Sequence, residues 1–169
     1  LESKVNQLKK GKIPFFEPGL KELIDRNVNE NRLSFTTKIK KSVQLSEVIF
    51  IAVGTPELSS GKADLSHVLT VSKAIGENLN FYKVICTKST VPIGTGKKIC
   101  KTINENVKSK VDFDYVSNPE FLREGSSVKD FLWPDRVVIG AKETKAFNIL
   151  KEVYRPLYVN KTPIMHTNI

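Results

Sequence analysis

Apolar positions along the chain change their period repeatedly, and each change marks an element. Leu1, Val5 and Leu8 recur at helical spacing and predict a helix over Leu1–Lys10. Gly11–Pro18 reads as a proline-containing loop. Pro18-Gly19-Leu20 then opens a second helix with Leu20, Leu23, Ile24 and Val28 on one face. Arg32–Thr36 reads as a short strand and Thr37–Leu45 as a short basic helix. Val48–Val53 is a continuous apolar run bounded by Gly54-Thr55-Pro56, the pattern of a buried parallel strand that ends in a loop. Asp64 is placed to cap a helix over Leu65–Leu79, with Leu65, Val68, Leu69, Ser72 and Ile75 facing inward. Tyr82–Thr87 is the next buried strand and runs into the hydroxyl-rich turn Lys88-Ser89-Thr90-Val91-Pro92. A helix over Gly94–Val107, a strand over Phe113–Ser117, a strand over Arg136–Gly140, a helix over Thr144–Tyr158 and a strand over Thr162–His166 complete the series. Alternating strands and helices predict an α/β fold around a parallel sheet.

Between the third and fourth of the longer strands lies Ser117-Asn118-Pro119-Glu120-Phe121-Leu122-Arg123-Glu124-Gly125. Asn118 is a good helix N-cap, and Pro119 suits a first helical turn because it has no N–H to lose there. Glu120 and Glu124 would then share one helix face. Two carboxylates at a strand-to-helix turn can hold hydroxyls, orient a water or act as a base. They can equally do no more than complement the helix dipole.

Length and composition narrow the classes. A chain of 169 residues predicts one domain, and 40% hydrophobic content suffices for a core. No run reaches the roughly 18 apolar residues of a membrane span, and no basic-then-apolar leader pattern opens the sequence. The formal charge of +9 invites a nucleic-acid reading. The lysines are spread along the chain without an aromatic stacking motif, so they predict a solvated basic surface that attracts anionic nucleotides. Neither nucleic acid nor membrane is expected as a partner. Two cysteines make no disulfide framework, which points to a reducing, cytoplasmic setting. Cys86 lies in an apolar strand and predicts core packing, and Cys100 sits on a helix beside lysines. His67 and His166 have no companions at metal-ligand spacing, so no metal is implied.

Several blocks carry a resemblance when taken together. They are Pro14-Phe15-Phe16-Glu17-Pro18-Gly19-Leu20, Val53-Gly54-Thr55-Pro56, Lys88-Ser89-Thr90-Val91-Pro92-Ile93-Gly94-Thr95, Asn118–Gly125, and Asp130–Gly140 with its Trp133-Pro134-Asp135-Arg136. In this order and spacing they resemble the UDP-glucose 6-dehydrogenases, within the wider family of NAD-dependent nucleotide-sugar dehydrogenases. The resemblance implies a Rossmann-like parallel sheet truncated at the N-terminus, with the first strands and glycine-rich turn missing. Residues 1–169 would be a partial NAD-binding domain of a longer, homo-oligomeric enzyme. Its Val48–Val53 strand would then keep an unpaired edge.

The implied reaction is the two-step oxidation of UDP-glucose to UDP-glucuronate with NAD as cofactor. Thr90 and Glu120 match family positions that orient the hydrolytic water. Lys4, Thr55, Thr90 and Glu124 match cofactor contacts. Glu120, Phe121, Leu122, Arg123 and Glu124 match the segment that lines the sugar nucleotide. Arg123 could instead form only a surface ion pair. The family's nucleophilic cysteine belongs to a Gly-Gly-x-Cys segment that these residues do not contain, so the chain by itself is expected to be inactive. Pro134-Asp135-Arg136 with Glu124-Gly125 resembles the UDP-glucose branch more than the GDP-mannose or UDP-N-acetylmannosamine branches. The rival from another class is a non-catalytic basic α/β module that binds nucleic acid or a protein.

Overall fold

A computed structural model describes residues 2–108 and 110–169, without the side chains of residues 158–160. Leu1, the start of the first predicted helix, lies outside the described residues. In chain order the elements are α1 (Glu2–Lys9), α2 (Leu20–Asn29), α3 (Ile39–Leu45), β1 (Val48–Ile51), α4 (Ser66–Asn78), β2 (Lys83–Thr87), α5 (Thr95–Asn106), β3 (Phe113–Ser117), α6 (Ser127–Leu132), β4 (Val137–Ala141), α7 (Thr144–Val153) and β5 (Ile164–Thr167), with a 3-10 segment at Arg155–Asn160. They fall into two compact units. One is Leu1–Ile39 with Phe121–Asp135, and the other is Lys40–Glu120 with Arg136–Ile169.

The second unit is built on a five-stranded sheet ordered β1-β2-β3-β4-β5. β1 to β3 run parallel, in register Ile49↔Ile85 and Ile85↔Tyr115. Alternation along these strands feeds two cores. Val84, Cys86 and Val116 pack with Ile139, Leu150 and Tyr154 in one cluster. Ile51, Ile85 and Tyr115 pack with Val68 and Ile75 of α4 and Ile99 and Ile103 of α5 in the other. β2 is buried at every residue, Lys83 and Thr87 included, as a central strand covered on both faces is. The α4–α5 contact depends on a glycine, since a Cβ at Gly76 would stand 2.6 Å from the Ile103 carbonyl oxygen. A Cβ at Gly96 would likewise stand 2.5 Å from Tyr115 Cε1. Among the described residues β1 lies at an edge of the sheet.

Three expectations are corrected. The sheet is mixed, because β4 is antiparallel to β3, while β5 is parallel to β4. The segment between β3 and β4 contributes its helix, α6, to the other unit. An antiparallel pair needs no crossover helix packed on its sheet. The β4–β5 connection does carry such a helix, α7. The Arg32–Thr36 strand does not form. The Arg32 and Leu33 N–H groups donate to the Asn27 carbonyl, and the Lys38 N–H donates to Thr36 Oγ1. Local bonds of this kind consume donors that a ladder would use.

The helix predicted from Pro119 is absent as well. Residues 118–123 are irregular, and α6 begins only at Ser127, after Gly125 at φ 81°. Asn118 is no N-cap. Its N–H donates to the Thr87 carbonyl at 3.0 Å, and its side chain is buried. Glu120 and Glu124 therefore do not share a helix face.

The first unit comprises α1, α2, α6 and their connections. Glu17 organises it, with Oε1 accepting the Ser127 N–H at 2.8 Å and Oε2 accepting the Gly125 N–H at 3.0 Å. The carboxylate thus meets backbone donors that α6 cannot satisfy itself.

Candidate active site at the strand ends

Parallel β1, β2 and β3 all deliver their following loops to one end of the sheet, the end where open α/β sheets bind ligands. Thr55, Thr90 and Glu120 sit on those three loops, so the second unit brings them to a common edge. The loops are stitched together. Thr55 Oγ1 donates to the Thr90 carbonyl at 2.9 Å, Ser89 Oγ donates to the Val53 carbonyl at 2.6 Å, and the Lys88 N–H donates to the Ile51 carbonyl at 2.8 Å. Gly54 leaves the backbone open here, since a Cβ there would meet nothing within 4 Å. An open strand-end backbone flanked by hydroxyls fits a dinucleotide.

Beneath the loops lies a polar chain. Lys88 Nζ donates to the Tyr154 hydroxyl at 3.3 Å, Tyr154 donates to Asn118 Oδ1, and Asn118 Nδ2 donates to the Val138 carbonyl at 2.8 Å. Burial pulls the Lys88 ammonium below its usual range, against the opposing influence of Cys86 and Glu120. Burial also pushes the Tyr154 hydroxyl well above the tyrosine range, so it stays neutral and keeps its proton for Asn118.

The remaining predicted residues belong to the first unit. Lys4 is exposed on α1, and Phe121, Leu122 and Glu124 are exposed. Leu122 borders an apolar cleft of about 260 Å³ lined also by Phe15, Leu20, Leu23 and Phe131. The Arg123 guanidinium pairs with Asp130, Nε–Oδ2 at 3.1 Å and Nη2–Oδ1 at 2.7 Å. Hydrogen bonding from Arg123 holds the Asp130 carboxyl far below its ordinary range. Burial pushes the Cys86 thiol up to about 12 and the Cys100 thiol upward, so both are protonated and inert near neutrality. Among the described residues no cluster of His, Cys, Asp and Glu could hold a metal ion.

Sequence reasoning missed Lys88, Tyr154, the interior role of Asn118, and Glu17. Tyr154 had a signal, because it stands four residues after the core residue Leu150 on the same helical face. Glu17 had none, since its partner Ser127 is 110 residues away.

A family model described as the UDP-glucose/GDP-mannose dehydrogenase family, NAD binding domain, matches residues 2–158. The chain belongs to this family. The domain is 47% identical over 168 residues to UDP-glucose 6-dehydrogenase TuaD of Bacillus subtilis, covering 99% of this chain and 36% of that protein. It is 48% identical over 169 residues to UDP-glucose 6-dehydrogenase of Rhizobium meliloti, covering 98% of this chain and 38% of the relative. The structure of a UDP-glucose dehydrogenase from Pyrobaculum islandicum superposes with a TM-score of 0.93 at 37% identity, covering 99% of this chain and 39% of that one. The chain thus spans a little over a third of these relatives' length. No helix among the described residues is long and apolar enough to cross a membrane.

Proposed function

We propose that this chain is the NAD-binding part of a UDP-glucose 6-dehydrogenase. The observation that carries the reading is the convergence of Thr55, Thr90 and Glu120 on one end of parallel β1–β3, in a chain related to UDP-glucose 6-dehydrogenases over nearly all of its length. NAD, when bound, supplies the hydride acceptor for oxidation of the sugar's primary alcohol to a carboxylate. Thr55 and the open backbone at Gly54 hold the cofactor beside the strand ends, and Lys4 and Glu124 are assigned as cofactor contacts by their match to family positions alone. Phe121, Leu122 and Arg123 line the sugar nucleotide. Glu120 and the Thr90 hydroxyl orient the water that hydrolyses the acyl intermediate. Glu120 takes a proton from that water as its oxygen attacks the acyl carbon and the enzyme's thiolate leaves.

The 169 residues contain no Gly-Gly-x-Cys segment, so the complete reaction needs residues beyond them. The test is a chimera in which residues 2–158 replace the aligned segment of the Bacillus subtilis relative. The expected result is NADH formation with UDP-glucose and little with GDP-mannose or UDP-N-acetylmannosamine. Preference for GDP-mannose would move the chain to the sister branch of the family.

A further inference from the structure

We propose that Tyr154 is a positioning residue, whose hydroxyl ties the loop bearing Thr90 and the loop bearing Glu120 to one buried anchor. The inference rests on the reading that Thr90 and Glu120 act at this end of the sheet. Its evidence is the direction of the hydrogen bonds. Asn118 Nδ2 donates to the Val138 carbonyl, which fixes Oδ1 as the atom facing Tyr154. A carbonyl oxygen only accepts, so the Tyr154 O–H donates to it. The phenol oxygen then has lone pairs for Lys88 Nζ, which can only donate. The direction of each of these three hydrogen bonds is thereby assigned.

The same residues sit where the two loops depart. Lys88 directly follows β2 and precedes Thr90 by two residues. Asn118 directly follows β3 and precedes Glu120 by two residues, and its N–H is bonded to the Thr87 carbonyl at the end of β2. Tyr154 is 5% exposed at the end of α7 and packs in the core with Cys86, Val116 and Ile139. Its ring is fixed by packing, so its hydroxyl is a stationary point between two loop origins. The charged and titratable groups acting on Lys88 include Cys86 from β2, Glu120 after β3 and Tyr154 after α7.

Tyr154→Phe keeps the ring and removes only the hydroxyl. In the 169-residue chain, amide exchange at Asn118 and Ser89 is expected to quicken at least about fivefold, as follows when a buried acceptor loses its donor. The Ser72 amide in α4 should be unchanged, which separates local loosening from global unfolding. The Lys88 ammonium, followed by carbon-detected NMR, should titrate lower than in wild type, because its charged form loses the hydroxyl that accepts from Nζ. A tyrosine that only fills space would leave both readouts as they are in wild type, and that result overturns the proposal.

Lys88→Met provides a second route should Tyr154→Phe not fold. It is expected to speed exchange at Ser89 while Asn118 stays protected, and wild-type exchange at Ser89 overturns the proposal. The reading on which the inference rests is tested separately. A chimera whose Glu120→Gln variant turns over normally would refute the roles of Thr90 and Glu120 and leave the exchange results standing.

Discussion

The Thr55 hydroxyl donates to the Thr90 carbonyl across 2.9 Å, joining the loop after β1 to the loop after β2. Thr55 thus spends its proton on the scaffold and keeps its lone pairs for a ligand. Thr55→Val keeps the shape and removes the bond. It is expected to lower stability by about 0.5–1 kcal/mol, the lower part of the range for a net hydrogen bond. Urea denaturation measures this, and an unchanged midpoint would show that the loops are held by Ser89 and Lys88 alone.

Gly76→Ala pits helix propensity against packing. Propensity favours alanine by up to about 1 kcal/mol. The new methyl group would meet the Ile103 carbonyl oxygen at 2.6 Å, and backbone cannot swing away as a side chain can. Overpacking of this kind costs about 1–3 kcal/mol, so a net destabilisation is expected by chemical denaturation. A more stable variant would mean that α4 and α5 separate freely.

The thiols make a prediction about alkaline pH. Burial raises the Cys86 thiol from 9.0 to about 12. A folded pKa above the unfolded one stabilises the fold fully below the unfolded value, and that contribution is lost as pH rises through the folded value. Stability should therefore fall between pH about 9 and about 12. In the native chain at pH 8 Cys86 should resist alkylation and react only on unfolding. Mass spectrometry after iodoacetamide treatment checks this, and rapid native labelling of Cys86 would contradict it.

Glu17 is expected to govern the start of α6. Glu17→Ala removes acceptors from the Gly125 and Ser127 N–H groups and from the Ser127 hydroxyl. By analogy with lost N-caps the cost is about 0.5–2 kcal/mol, read as faster amide exchange at Ser127. Unchanged exchange would show that water replaces the carboxylate without loss.

The legible parts of this protein are those where local pattern and tertiary role coincide. The run Val48–Val53 could be placed as a strand, but β1 is only partly buried, with Phe50 exposed, whereas β2, within Tyr82–Thr87, is buried at every residue as predicted. The hydroxyls after them could be placed because a strand's end fixes where its loop emerges. The direction of β4 was not legible, because nothing in the local pattern of Arg136–Gly140 marks which way a strand runs. Asn118 misled for a related reason. Its preference for N-caps is local, whereas its partners Thr87, Val138 and Tyr154 come from three other elements. Leu33 and Phe35 alternate as strand residues do and are half-buried, yet their segment found its hydrogen bonds at the end of α2.

Glu120, three residues beyond the end of β3, is proposed to serve the hydrolytic half of a nucleotide-sugar oxidation. The direct measurement is intact-protein mass spectrometry of the chimera carrying Glu120→Gln, mixed with UDP-glucose and NAD. A covalent sugar-nucleotide adduct is expected to build up on the variant and not on the unmodified chimera, with a burst of NADH followed by turnover limited by slow hydrolysis. If no adduct accumulates and only the apparent affinity for UDP-glucose changes, Glu120 is a binding residue and the account is wrong.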